Sequence, residues 1–491
     1  MQNTKIRLLA GGLLLLTTGS YAHAEILQPD PAWQQGKLAN GFQWQVLATP
    51  QRPSDRVEVR LLINTGSLTE SLQQSGFSQF LSRMIFTQAG DQAKSLWQQG
   101  IDPKRPLPPA IVSYDSTLFS LSLPNNRGDL LKTALSTLAD SAGSLQITPE
   151  TVNTTLGAKN PVQTWPDTRD NWWRYRLKGS TLLGHDPGRN IQHPVDAEKL
   201  KDFYGKWYTP DAMTLLVVGN IDGRGLSEQL NKTFGELKGK REVPAPVPTL
   251  SPLNPAPVSL ISQHVRQNKL SLTWDTPWQP IREPSALLNY WRADLAREAL
   301  FWNVRQRLEK LDVKDLNLSF DCRVLYQLAE CAINIESPTD KLTTNLALVA
   351  RELQAVKNNG LSQDEFNTLI AQKKGELDQL FATYARMDTS ILIAQRMRSQ
   401  QNQVVDISPE NYQKLRQDFL DNLTAGVLNQ DLRQQLSHDM TLVLVQPQGE
   451  PEYNMKALQS EWDKVVQPHA LQPVTDNPKQ QSAETIPLSG E

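Results

Sequence analysis

The chain has 491 residues, 39% hydrophobic and 21% charged, with a formal net charge of −2 and only two cysteines. That length exceeds what one hydrophobic core usually serves, so two domains or more are expected. A slightly acidic, mixed-sign composition gives no electrostatic reason to bind nucleic acid.

Lys5 and Arg7 open the chain, an apolar run from Leu8 to Thr18 follows, and Ala22-His23-Ala24 supplies a small-x-small site. Residues 1–24 therefore read as a secretory signal cleaved between Ala24 and Glu25. The apolar run is about half of the roughly 20 residues that a membrane span needs. No comparable stretch follows, and no cysteine near the cleavage site could carry a lipid, so no membrane anchor is expected. These features point to a periplasmic product. Loss of Lys5 and Arg7, with no acid lost, moves the net charge from −2 to −4.

Residues 25–242 form the first expected domain. Within it, the strand-like Leu118–Leu123 meets Pro124, a helix pattern at Asp129–Asp140, a helix start at Thr148-Pro-Glu150 and a closing strand at Asp211–Val218. Residues 243–257 hold six prolines in fifteen positions, which makes a stiff, extended linker. Residues 258–466 then repeat the order of the first domain. The strand at Cys331–Ile335 meets Pro338, a helix pattern at Asp340–Leu353, a capped start at Ser362-Gln-Asp-Glu365 and a closing strand at Asp439–Val445. A duplicated α+β domain is the reading. Residues 467–491 are polar and proline-bearing, and read as a disordered tail.

Cys322 and Cys331 lie in a run that reads as a β-hairpin. A turn centred on Tyr326 and Gln327 sets the two cysteines opposite each other and Arg323 opposite Glu330. A disulfide suits an oxidising compartment, the alternative being a pair of buried free thiols. Spacing and number exclude a C-x-x-C redox pair and a cysteine zinc site.

After Gly76, the residues Phe77, Phe80, Leu81 and Met84 recur at helical spacing as an apolar face. Gln79, Ser82 and Arg83 fall on the other side, where three side chains can converge. The stretch Asn64-Thr-Gly-Ser67 through Gly76–Phe86 resembles the opening of the pitrilysin or insulinase type of zinc peptidase, the inverted-motif zincins. Leu183–Pro187, Asp202–Pro210 and Met213–Asn220 resemble later parts of the same N-terminal domain. The resemblance implies two similar domains, each a mostly antiparallel sheet with helices packed on it, facing across a cavity that takes up extended polypeptide. It also implies zinc held by a His-x-x-Glu-His helix. The first histidine falls on Gln79, the glutamate on Ser82 and the second histidine on Arg83. The family's third ligand, a glutamate, should fall near residues 155–163, which contain no carboxylate; Glu150 and Asp167 are the nearest.

An amide is a poor zinc ligand, serine offers no base near neutral pH, and arginine stays cationic. Zinc, the family cofactor, is therefore expected to be lost, and no catalytic residue or metal ligand is assigned. His185, His193, His264, His438 and His469 are too far apart for a replacement motif, and no G-x-S-x-G or phosphate loop occurs. Binding remains. Trp172 and Trp173 are read as core or domain interface, or alternatively as a peptide-contacting wall. Arg83 is read as a solvated helix residue, or as a fixed charge that docks a peptide carboxylate. The functional expectation is a non-catalytic, periplasmic, peptidase-like protein that binds polypeptide or serves an active peptidase subunit, as a homo- or hetero-oligomer. The competing reading is a metallopeptidase that uses other ligands.

Overall fold

Two mixed sheets organise the chain in a computed structural model that describes residues 25–99, 107–125 and 127–466. The signal segment with Ala24, and the tail from 467 onward, lie outside the described residues, whereas Glu25 is described and exposed. The first sheet contains β1 (Trp33–Lys37), β2 (Gln43–Ala48), β3 (Val57–Ile63), β4 (Ala110–Val112), β5 (Thr117–Leu123), β6 (Gln163–Thr164) and β7 (Met213–Gly219), in the order β1-β2-β7-β3-β5-β4-β6. Its helices are α1 (Phe77–Gln88), α2 (Asp91–Gln99), α3 (Gly128–Gly143), α4 (Pro149–Gly157), α5 (Asn171–Arg176), α6 (Ala197–Trp207) and α7 (Gly223–Phe234).

The second sheet contains β8 (Val258–Ser262), β9 (Asn268–Pro277), β10 (Asn317–Leu325), β11 (Leu328–Ser337) and β12 (Thr441–Pro447), in the order β10-β11-β9-β12-β8. Around it lie α8 (Pro284–Lys310), α9 (Leu342–Asn359), α10 (Gln363–Asp378), α11 (Leu380–Arg386), α12 (Thr389–Gln401), α13 (Pro409–Asn422), α14 (Ala425–Gln435) and α15 (Met455–Val465).

The duplication extends to the order and direction of five strands in each sheet, while β1 and β6 at the edges of the first sheet have no counterpart. In the first sheet β2 runs parallel to β7, which is antiparallel to β3, then β5, then β4. In the second, β8 runs parallel to β12, which is antiparallel to β9, then β11, then β10. Each sheet is thus mostly antiparallel, with parallel pairs that make it mixed. Residues 243–257 between the two units form neither helix nor strand.

Period-two alternation builds the first core: Val57, Val59, Leu61 and Ile63 of β3 share a cluster with Phe77, Phe80, Leu81 and Met84 of α1. The opposite face of that sheet is also covered, because α12 crosses from the second unit and sets Leu392 and Ile393 against Leu47, Leu216 and Val218. Several polar residues on this covered face are paired in place, although the Ser120 hydroxyl opposite Arg60 is buried without a partner. The buried Arg60 pairs with Glu58 at 3.0 Å, and Ser122 Oγ donates to Glu58 at 2.7 Å. Arg396 of α12 donates to Gln45 at 2.8 Å, and Thr389 Oγ1 to the Arg56 carbonyl at 2.7 Å.

The exchange is reciprocal but unequal, since α5 of the first unit is a short helix that reaches β8 of the second. It leaves a cleft of about 900 Å³ between the segment Asp167–Arg174 and the outer face of the second sheet. Its floor includes Lys269, Ser271, Thr273 and Asn334.

Candidate functional site

The helix that carries the degenerate motif is fixed at its start by a carboxylate. Glu70 is 4% exposed and accepts the backbone N–H groups of Gly76 and Ser78, each at 2.8 Å, which satisfies two of the donors that a helix start leaves open. Burial, with a smaller contribution from the nearby Asp186 charge, pushes the Glu70 carboxyl up to about 7. Gly76 itself has φ +93, and a Cβ there would come within 2.9 Å of the Arg189 carbonyl oxygen, so this turn requires glycine. Glu70 escaped the sequence reading. Its one signal is an acid a few residues ahead of a helix start.

From that start α1 carries Gln79, Ser82 and Arg83 inward, where they are 3%, 0% and 6% exposed. The amphipathic pattern assigned them to a polar side, but α4, which Arg83 reaches, packs on α1 and the helix is buried almost all round. No hydrogen bond joins any two of the three. The Ser82 hydroxyl donates back to the Ser78 carbonyl at 2.9 Å, and Gln79 Oε1 has no partner.

Arg83 is neither solvated nor free to dock a ligand carboxylate, which corrects both expectations for it. Its guanidinium donates to the carbonyls of Leu156 at 2.8 Å and Ala158 at 2.6 Å, and to Asn190 Oδ1 at 3.4 Å. Leu156 and Ala158 lie at the C-terminal end of α4, where carbonyls lack intrahelical donors and partial negative charge collects. The arginine thus caps α4 and ties it to α1. This is the same stretch in which the resemblance placed a third zinc ligand.

These residues do not fit zinc. The carboxylates nearest in sequence to residues 155–163, Glu150 in the first turn of α4 and Asp167 paired with Arg169 at 3.0 Å, are both exposed, and Glu70 is engaged by the backbone at the start of α1. A divalent cation beside the Arg83 guanidinium would be repelled by several kcal/mol even at an effective dielectric of about 20. Elsewhere among the described residues, no three His, Cys, Asp or Glu side chains converge as a metal site would need.

The other sequence candidates divide. Trp173 is 1% exposed and donates to the Tyr114 hydroxyl at 3.2 Å, inside a cluster that includes Leu182 and Leu325 of the two units, so it has no surface to offer a peptide. Trp172 is half-buried on the wall of the cleft and donates to Glu330 at 2.9 Å. Cys322 and Cys331 are directly opposed across β10 and β11 and form a disulfide, with Arg323 opposite Glu330. The described residues include no helix long and apolar enough to cross a membrane.

Residues 45–171 match the family described as insulinase (peptidase family M16), and residues 194–373 match the peptidase M16 inactive domain. Protein YhjJ of Escherichia coli strain K12 is 69% identical over 473 residues, which cover 95% of each chain. A "Predicted insulinase family protease" from Yersinia pestis superposes with a TM-score of 0.88 at 59% identity, over 94% of this chain and 100% of that one. The first half of the periplasmic protease PqqL from Escherichia coli superposes with a TM-score of 0.76 at 18% identity, over 90% of this chain and 98% of that one. The last likeness is one of fold alone.

Proposed function

The chain belongs to the insulinase (M16) family of peptidases, and from that premise we propose that it is a non-catalytic member, exported to the periplasm, which binds polypeptide or serves as the accessory subunit of an active peptidase. The observation that carries the proposal is the engagement of Arg83. Where a zinc peptidase needs a metal ligand, this chain has a buried cation whose Nη2 donates to the carbonyls of Leu156 and Ala158, with Nε left without a partner. Gln79 and Ser82 supply neither a histidine ligand nor a base. Export is supported by the basic start, the short apolar run and the small-x-small site of residues 1–24. A disulfide between Cys322 and Cys331 suits the same compartment.

Metal analysis of the protein purified from the periplasm, together with a cleavage assay on unfolded casein, tests the first half of the proposal. The expected result is no stoichiometric zinc and no chelator-sensitive cleavage. One tightly held equivalent of zinc with such cleavage would overturn it, in favour of a metallopeptidase with other ligands. Native mass analysis of the periplasmic protein tests the accessory role. A specific hetero-oligomer is expected, and recovery of only a monomer or self-dimer would leave polypeptide binding as the sole surviving role.

A further inference from the structure

A second, smaller pocket of about 210 Å³ opens where the two units meet. Six separate segments build it: the turn between β4 and β5 with Asp115, Trp165 just after β6, Val247 of the proline-rich segment, Trp278 just after β9, Tyr326 at the tip of the disulfide hairpin, and Gln401 to Gln403 at the end of α12. Its mouth is open, for Trp165 is 48% and Val247 60% exposed. Its walls are held from behind. The Trp278 indole donates to the Asn402 carbonyl at 2.6 Å, and the Tyr326 ring lies edge-on to Tyr114 at 6.0 Å.

The lining has one sign. Asp115 is its sole carboxylate, and no lysine, arginine or histidine lines it among the described residues. The side-chain donors to that carboxylate are neutral hydroxyls, Ser113 at 2.9 Å and the neighbouring Ser116. The Tyr326 hydroxyl is buried behind the lining, beside Ser113 and the Tyr114 backbone. Burial raises the Asp115 carboxyl above its ordinary range, as it does for an acid that no cation compensates. Aromatic faces around an uncompensated carboxylate, with no competing cation, are the chemistry that receives an ammonium or guanidinium group. An apolar ligand would desolvate the Asp115 carboxylate with only neutral hydroxyl donors to compensate it. An anion would be repelled.

We infer that this pocket receives one lysine or arginine side chain of a bound polypeptide, with the cation against Asp115 and its alkyl stem along Trp165 and Trp278. The inference rests on the polypeptide-binding reading and adds to it a preference for basic residues. The degenerate helix cannot supply that preference, because its own cation is buried and engaged.

The test uses the full periplasmic protein, labelled unfolded β-casein as a general polypeptide, and two unstructured glycine-serine peptides that differ only in one central arginine or glutamine. Casein should bind, and the arginine peptide should displace it at about tenfold lower concentration than the glutamine peptide. In Asp115→Asn that discrimination should fall below about twofold while the melting temperature is kept, and Trp165→Ala should weaken the arginine peptide selectively. If casein binds but the two peptides compete equally, or if Asp115→Asn discriminates as well as the parent, the pocket assignment is wrong and the polypeptide reading stands. If casein does not bind at all, both fall.

Discussion

Arg83 shows how a lost metal site can become a structural joint. In this chain α1 and α4 are tied by one guanidinium that fills the open carbonyls at the end of α4. Hydrogen bonds from a charged donor contribute roughly 1.5–3 kcal/mol each, and buried carbonyls left without donors add a penalty. Arg83→Ala should therefore lower unfolding stability by about 3 kcal/mol in urea titration, and a change within 0.5 kcal/mol, roughly the scatter of a neutral surface substitution, would refute the joint. The identities of Gln79, Ser82 and Arg83 were legible in the sequence. Their engagement was not, because the two short hydrogen bonds of Arg83 go to backbone carbonyls more than 70 residues away, which no side-chain pattern encodes.

Glu70 gives the same region a pH signature. Its carboxyl stands at about 7 in the folded protein against an ordinary 4.5, so between those values the folded state binds more protons than the unfolded state. Stability from this group is complete below about pH 4.5 and is lost as pH rises through about 7, by an amount on the order of 3 kcal/mol. Glu70→Gln should remove that slope, so the variant should be about 1–2 kcal/mol less stable than the parent near pH 5, where an amide can accept only one of the two N–H groups, and should lose that deficit by pH 7.5. The check is the difference in urea stability between parent and variant at pH 5 and pH 7.5. A parent slope that survives in Glu70→Gln would assign the titration to another residue.

At the scale of elements, local signals were the reliable ones. The Ser362 and Glu365 side chains form the capping box that their spacing suggested, and the hairpin register follows from a turn centred on Tyr326 and Gln327. Both turn residues have positive φ, +46° and +66°, as a two-residue hairpin loop demands, although neither is the glycine or asparagine that usually signals one. The closing strand β7 starts at Met213 rather than Asp211, because Pro210–Ala212 form a short 3-10 turn and Asp211 accepts the Arg241 N–H. The disulfide closes a short loop, with nine residues of separation. Chain-entropy arguments give such a loop about 2–3 kcal/mol. Cys322→Ser paired with Cys331→Ser should lower stability by that amount without loss of fold, measured by calorimetry. Unchanged stability would mean that strand pairing alone holds the hairpin.

Across the whole molecule, the repeat predicted two similar units but not how they interlock, because crossing helices depend on contacts between residues hundreds of positions apart. Besides α12 on the first sheet, one buried side chain joins the units at the inner end of the cleft. Arg176 of α5 is 4% exposed and pairs with Asp275 of β9 at 3.0 Å and Glu330 of β11 at 3.2 Å. Glu330 also accepts the Trp172 indole at 2.9 Å and the Arg323 guanidinium at 3.2 Å, so its charge is fully engaged only with both units in place. Removing one partner of a buried pair is costly because the other charge stays buried, and typical values are about 3–5 kcal/mol. Arg176→Ala should impose a cost of that order, and it should fall on the coupling between units rather than on either core. The parent is expected to unfold in one calorimetric transition, and the variant in two, with the second unit separating from the first. Arg176→Lys should lie between them, since it restores the charge but not the planar fork that reaches two carboxylates. A variant that melts in one unshifted transition would show that α12 and its apolar contacts suffice to hold the units together.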